Sequence, residues 1–218
     1  MVDKKKIMVV EAQNITRYCL CKSLEQEKEF SVVRNVNNGR AAVKMALQLC
    51  PDVVIMGVDL PGLNGIQATQ QIITGNSDIC VIALSMVRNQ QCVMGMFNAG
   101  ARAFLLKNCT FLDLQNAIRA VCQGKKYLST DIAGMMVDMA MNPSHATQTN
   151  GCKTLLTTRE LEVLQLLAEG NTSLNMAKIL DISKRTVDIH RKNIMDKLNL
   201  RNVAQLTKYA IAEGIIFI

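Results

Sequence analysis

From Ile7 to Gln123 the chain switches repeatedly between short, unbroken apolar runs and longer stretches with helical apolar spacing. Few architectures accept that pattern. The runs Ile7–Val10, Phe30–Val33, Asp52–Met56, Ile79–Leu84 and Ala103–Leu106 read as continuous rather than alternating strands. A strand of that kind must be covered on both faces, which is the condition of a parallel sheet. Between and after them, Ile15–Glu27, Gly39–Leu49, Gly65–Thr74, Asn89–Ala99 and Thr110–Gln123 repeat apolar residues at helical intervals. Five strands alternating with five helices predict a doubly wound α/β domain with a five-stranded parallel sheet. Sites in such sheets form at the carboxyl ends of the strands, which directs attention to Glu11, Ala12, Gly57, Asp59, Ser85 and Lys107.

The period changes after residue 123. Gly124 opens a connector in which Asp131–Met141 is helical and rich in methionine, and Met135, Met136 and Met139 at helical spacing read as packing. Asn142–Thr154 is polar, carries Pro and Gly, shows no apolar period and reads as a linker. An all-helical unit follows. Thr157 with Glu160 three residues on makes a capping box, and Leu161, Leu164, Leu167 and Ala168 form a stripe that ends at Gly170. Thr172 or Ser173 caps a second helix through Leu180, Asp181-Ile182-Ser183 turns the chain, and Ser183 caps a third helix to about Leu198. A fourth runs from about Val203 to Ala212 and offers Val203, Leu206, Tyr209 and Ala210 as a contact for a second copy. Two short helices around a three-residue turn have the form of a helix-turn-helix. The expected division is therefore residues 1–123, a connector over 124–154, and a four-helix unit over 155–218.

Composition narrows the chemistry. At 218 residues, 49% hydrophobic and 20% charged, the chain has material for two packed cores. Its eight cysteines are scattered without a CxxC pair and it has two histidines, so neither a metal site nor a disulfide framework is expected. No cofactor motif and no catalytic constellation is read, and an enzyme is not expected. The apolar run after the basic start is four residues long, so no signal peptide is read, no membrane span is expected, and a reduced, cytosolic setting is the expectation. The net charge is +7, and its placement matters more than its size. Between Ser183 and Arg201 stand six cations (Lys184, Arg185, Arg191, Lys192, Lys197, Arg201) against two anions, Asp188 and Asp196. A short helix with that excess suits phosphate.

Leu156–Ile215 resembles the LuxR-type DNA-binding domain. The matching pieces are LTTRE at Leu156–Glu160, the AEG helix end at Ala168–Gly170, Ala177 and Ile179, the ISKRTVDIH run at Ile182–His190, and KL at Lys197–Leu198. Residues 5–123 resemble the receiver domain of NarL/FixJ-type response regulators through LPGLNG at Leu60–Gly65, GARAFLLK at Gly100–Lys107 and the GKKYLS junction at Gly124. The resemblance implies a regulator of transcription. It also exposes departures. The family phosphorylates an aspartate four residues before the proline of that turn, and here Pro61 puts Gly57 there. Two acids follow the family's first strand, the second of which helps hold magnesium, and here those positions are Glu11 and Ala12. Ser85 stands at the family's hydroxyl position, Phe104 at its aromatic position and Lys107 at its lysine position, where pairing with Glu11 is expected. Asp59 falls where the family uses a backbone carbonyl.

In the third output helix Val187, His190 or Arg191, Ile194 and Leu198 make the buried stripe, leaving Arg185, Asp188, Ile189 and Lys192 outward. By resemblance Asp188, Ile189 and Lys192 hold base-reading positions, with Asp188–Lys192 also an i,i+4 pair. Lys184, Thr186, Arg191, Asn193 and Lys197 complete the expected DNA surface, meeting phosphates or solvent. The partners expected are double-stranded DNA at a pseudo-palindromic promoter site and a second copy of the chain. The receiver-like unit is expected to act independently of phosphorylation, in dimerisation or partner contact. Alternatives are control by a small molecule in a pocket of Glu11, Gly57 and Lys107, control by oxidation of Cys19 and Cys21, or an adaptor that forms heterodimers without binding DNA.

Overall fold

A computed structural model describes residues 4–141 and 155–216, without the side chains of Met139 and Ala140. The chain forms two compact units. The first runs β1 (Lys5–Val10), α1 (Asn14–Gln26), β2 (Phe30–Val36), α2 (Gly39–Leu49), β3 (Val53–Gly57), α3 (Gly65–Gly75), β4 (Cys80–Ser85), α4 (Gln90–Asn98), β5 (Ala103–Leu106), α5 (Phe111–Cys122), β6 (Tyr127–Leu128) and α6 (Thr130–Met141). The strands lie in the order β2-β1-β3-β4-β5-β6, every pair parallel. Ile7 to Val10 and all of β3, β4 and β5 are buried, as continuous apolar strands require when helices cover both faces. Asn38 caps α2 by accepting from Ala41 N–H, and Thr110 with Asp113 makes a complete capping box on α5.

The sheet has six strands, not five. β6 is two residues long, too short for any hydrophobic period to reveal, and lies in the stretch read as connector. What holds it is backbone pairing along the edge of β5: Tyr127 N–H donates to Arg102 O at 3.0 Å and Ser129 N–H to Phe104 O at 3.3 Å. In α6 Ile132 is buried and Met135 and Met136 are half-buried, in line with packing. The side chain of Met139, the linker 142–154 and Cys152 lie outside the described residues.

The second unit comprises α7 (Thr158–Ala168), α8 (Ser173–Leu180), α9 (Lys184–Leu198) and α10 (Val203–Ala212). The expected caps are present: Thr157 and Glu160 form a reciprocal box, Thr172 accepts from Asn175 N–H, and Ser183 accepts from Thr186 N–H. Leu164, Met176, Leu180, Val187, Ile194 and Leu206 fill the core. Of the residues expected as a contact on α10, Leu206 and Ala210 are fully buried in the unit's own core and Tyr209 is half-buried, while Val203 is exposed, as is Ile211. The pattern repeats at three and four because it packs inward. Among the described residues no helix is long and apolar enough to cross a membrane.

Candidate functional site

In the first unit the carboxyl ends of β1, β3, β4 and β5 bring Glu11, Gly57, Ser85 and Lys107 to one end of the sheet. Glu11 is anchored by its own N–H to Val36 O (3.1 Å), and Lys107 by its N–H to Ser85 O (2.8 Å). Their side chains meet. Lys107 Nζ donates to Glu11 Oε1 at 2.9 Å and stands 2.8 Å from Oε2, with the carboxylate 1% and the lysine side chain 9% exposed. Glu11 Oε1 also accepts from Gln13 N–H at 3.0 Å. A cation and an anion so withdrawn from water satisfy one another, and neither is free for a ligand without exposing the other.

Gly57 sits against that pair. A Cβ on Gly57 would lie 3.1 Å from Val10 O and 3.2 Å from Glu11 Oε2. The Val10 carbonyl and the Glu11 carboxylate thus crowd the space a side chain at 57 would enter. Gly65 is fixed by a second close approach, since its Cβ would run into the Gly57 carbonyl oxygen while its N–H donates to Val58 O at 2.8 Å.

The remaining positions are engaged or apart. Ser85 Oγ donates to Val87 O and accepts from Val87 N–H, both at 3.0 Å, so its hydroxyl is turned onto its own loop. Phe104 is fully buried. Asp59 is exposed and its carboxyl is pushed above its ordinary range: partial desolvation at the rim raises it, Lys107 opposes and Glu11 reinforces. Sequence reading missed Arg17, whose Nη1 donates to Glu11 O at 2.6 Å and Ala12 O at 3.4 Å while Nη2 reaches Asn14 Oδ1 at 2.7 Å. Its only signal was a cation on the first turn of α1.

The receiver family's magnesium wants several oxygen ligands, one or two of them carboxylates. Here Ala12 and Gly57 supply none, the Glu11 carboxylate is taken by Lys107, and among the described residues no three His, Cys, Asp or Glu are disposed to hold a metal. The residues do not fit that ion. A cavity of about 350 Å³ lies between α1 and α5, lined in part by Thr16, Cys19, Leu20, Cys109 and Phe111, and shares Lys107 alone with the pocket expected from sequence. Burial raises the Cys21 thiol, Glu25 adds to this, and Arg17 and Lys22 oppose it, which works against the reactive thiolate that redox control requires.

In the second unit α9 turns Lys184, Arg185, Asp188, Ile189, Lys192 and Asn193 to solvent while Val187 and Ile194 are buried and Thr186, His190 and Arg191 are half-buried. Ile189 is 51% exposed in the midst of the cations. The LTTRE motif is a set of internal ties. Arg159 Nη2 donates to Leu180 O at 2.6 Å, closing the end of α8, and its Nη1 holds Glu162 at 2.7 Å. Glu160 accepts from Thr157 N–H and from Lys197 Nζ, each at 2.7 Å, so Lys197 is bound within the unit. Asp188 does not reach Lys192. It accepts from Ser173 Oγ at 2.8 Å, and Ser173 Oγ accepts from Arg191 Nη1 at 2.8 Å. Ser173, read from sequence as one of two cap candidates, was missed in this role because its partners stand 15 and 18 residues on.

Residues 7–119 match the family described as response regulator receiver domain, and residues 154–210 match bacterial regulatory proteins, luxR family. The chain is 31% identical over 205 residues to the transcriptional regulatory protein LiaR of Bacillus subtilis, covering 94% of this chain and 96% of LiaR. It is 29% identical over 214 residues to the oxygen regulatory protein NreC of Staphylococcus carnosus, covering 97% and 99%. Among solved structures it is similar to the RcsB response regulator of Salmonella typhimurium, with a TM-score of 0.58 at 25% identity over 97% of this chain and 100% of that one. RcsB is also solved as two dimers bound to two parallel DNAs, similar in fold at a TM-score of 0.60, 24% identity, and 95% and 98% coverage. Receiver and output unit in this order, with LiaR similar over 94% of the chain, make the chain a member of the NarL/FixJ-type response regulators, the DNA-binding regulators of the LuxR family.

Proposed function

We propose that this chain regulates transcription by binding promoter DNA as a homodimer, with a receiver unit that works without phosphorylation. One observation carries the reading: the buried Lys107–Glu11 ion pair beside Gly57. An acyl phosphate needs a carboxylate at the end of β3 and a free cation to receive it. Gly57 offers no carboxylate, and Lys107 is already neutralised. Arg17, bonded to the Glu11 and Ala12 carbonyls, adds a resident cation at the same strand end.

The output unit supports DNA as the target. Lys184, Arg185, Lys192 and Asn193 are outward on α9, with Ile189 among them as an apolar contact suited to a thymine methyl. One helix-turn-helix reads half a site, so a pseudo-palindromic promoter site and two copies of the chain complete the recognition. RcsB, solved as dimers on DNA, supports two copies of the chain on DNA. The first unit then supplies dimerisation or partner contact, joined to the output unit through residues 124–154. Intact-mass measurement after incubation with a small phosphodonor and magnesium tests the reading. No phosphoryl adduct is expected, while operator binding is unchanged by the treatment. A phosphoryl group on Asp59 or Glu11 would overturn it.

A further inference from the structure

The geometry points to Asp188 as a positioning residue that, through the Ser173 hydroxyl, holds the Arg191 guanidinium for a DNA phosphate and does not itself read a base. This rests on the DNA-binding reading above. Ser173 is 9% exposed and begins α8, while Asp188 and Arg191 lie one turn apart on α9. A serine hydroxyl has a single proton. Asp188 Oδ1 is an acceptor only, so that proton points at the carboxylate, 2.8 Å away, and leaves an oxygen lone pair for Arg191 Nη1, also 2.8 Å away. The chain of donors runs in one direction, from Arg191 to Ser173 to Asp188. Asp188 Oδ1 lies 3.8 Å from Arg191 Nη1, so its charge assists the same guanidinium. Arg191 Nε is buried and has no hydrogen-bond partner among the described residues, which leaves the guanidinium's placement to Nη1. Without an acceptor at 188 the hydroxyl rotates freely and the arginine loses its anchor. A carboxylate on a DNA-facing helix is thereby explained without a base: it repels phosphate by itself, and contributes through the cation it aims.

The experiment compares Asp188→Asn with Asp188→Ala, both neutral, in the Ser173 and the Ser173→Ala backgrounds of the full chain. The probe is a duplex that the wild-type chain selects from a random-sequence pool, and circular dichroism checks folding of each variant. Asn keeps the acceptor and Ala removes it. With Ser173 present, Ala is expected to bind about threefold to tenfold more weakly than Asn, the worth of one hydrogen bond. In Ser173→Ala that gap closes, and the preferred base at every position stays the same. A gap that persists without Ser173, no gap in either background, or a base preference lost with Asp188→Ala and kept with Ser173→Ala overturns the assignment. Proton exchange at Arg191 Nε, followed by nitrogen-15 NMR without DNA, gives a second readout. It is expected to be slow in wild type and Asp188→Asn and faster in Asp188→Ala, and equal rates overturn the assignment. If the wild-type chain enriches no duplex, the DNA-binding reading fails, and the exchange rates still decide whether Asp188 holds Arg191.

Discussion

Lys107 and Glu11 stand 96 residues apart in the chain, yet the lysine ammonium lies 2.8 Å from one carboxylate oxygen and 2.9 Å from the other. Removing one partner strands a charge that water hardly reaches. Lys107→Met is therefore expected to destabilise the first unit by about 3–5 kcal/mol, and the double variant Lys107→Met, Glu11→Leu to recover most of that loss. Urea unfolding followed by circular dichroism checks both. A double variant as unstable as the single would mean that packing, not the unpaired charge, sets the cost.

Gly57 and Glu11 should be coupled. Any Cβ at 57 meets Val10 O and Glu11 Oε2, and the ion pair leaves that oxygen little room to move. Gly57→Ala is expected to cost about 1–3 kcal/mol as an overpacked site. In a Glu11→Ala background the same change should cost less, the remaining loss coming from the Val10 carbonyl, which the substitution leaves in place. Gly57→Asp adds a third acidic group beside Glu11 and Asp59, and on our reading acquires little phosphate, because position 12 remains alanine. Thermal unfolding measures the first pair and intact mass the second.

On α9, Lys192 is exposed and free of the Asp188 contact expected of it. Lys192→Ala is expected to weaken binding to the selected duplex by about 1–3 kcal/mol and to flatten the preference at one base position. Titrations of selected and scrambled duplexes across a salt series distinguish that from the loss of a phosphate contact, which would weaken both duplexes alike and lower the salt slope by about one.

Glu160 gives the second unit an acid sensitivity. Burial alone would raise its carboxyl, but hydrogen bonds from Lys197 and from Thr157 outweigh it and hold the group below its ordinary value of 4.5. A carboxyl depressed in the folded state contributes stability that is complete above about pH 4.5 and is lost as pH falls through the lower folded value. Lys197→Met is expected to shrink the drop in urea midpoint between pH 5 and pH 3. An unchanged drop would place the acid sensitivity elsewhere.

Two residues of α10 separate core from surface. Leu206 is fully buried and Val203 is 41% exposed. Leu206→Ala is expected to cost about 2–5 kcal/mol of stability, whereas Val203→Ala is expected to leave stability nearly unchanged, as urea unfolding of the two variants measures.

What the sequence displayed was whatever local pattern encodes. Apolar runs such as Val53–Met56 marked the central strands, and Thr157 with Glu160 marked the start of α7, because burial on two faces and capping are both local demands. β6 was invisible since two residues carry no period and its partner edge is made by β5. For α10, a stripe at three and four says that a face is covered and not by what: Leu206 and Ala210 are covered by the unit's own core, while Val203 is exposed. At the sites, the Lys107–Glu11 pair was reached through the resemblance, while Arg17 and Ser173 were not. Their roles come from carbonyls and hydroxyls that any sequence possesses, and only folding decides which ones a guanidinium meets.

A phosphoryl group on a protein decays, and its lifetime tells a cell how long ago a stimulus arrived. The carboxylate that Lys107 holds is written into the chain and does not hydrolyse. On the function proposed above, this regulator keeps no clock. Its level of action follows how many copies are made and how soon they are destroyed, and memory of a signal passes from chemistry on the protein to the abundance of the protein itself.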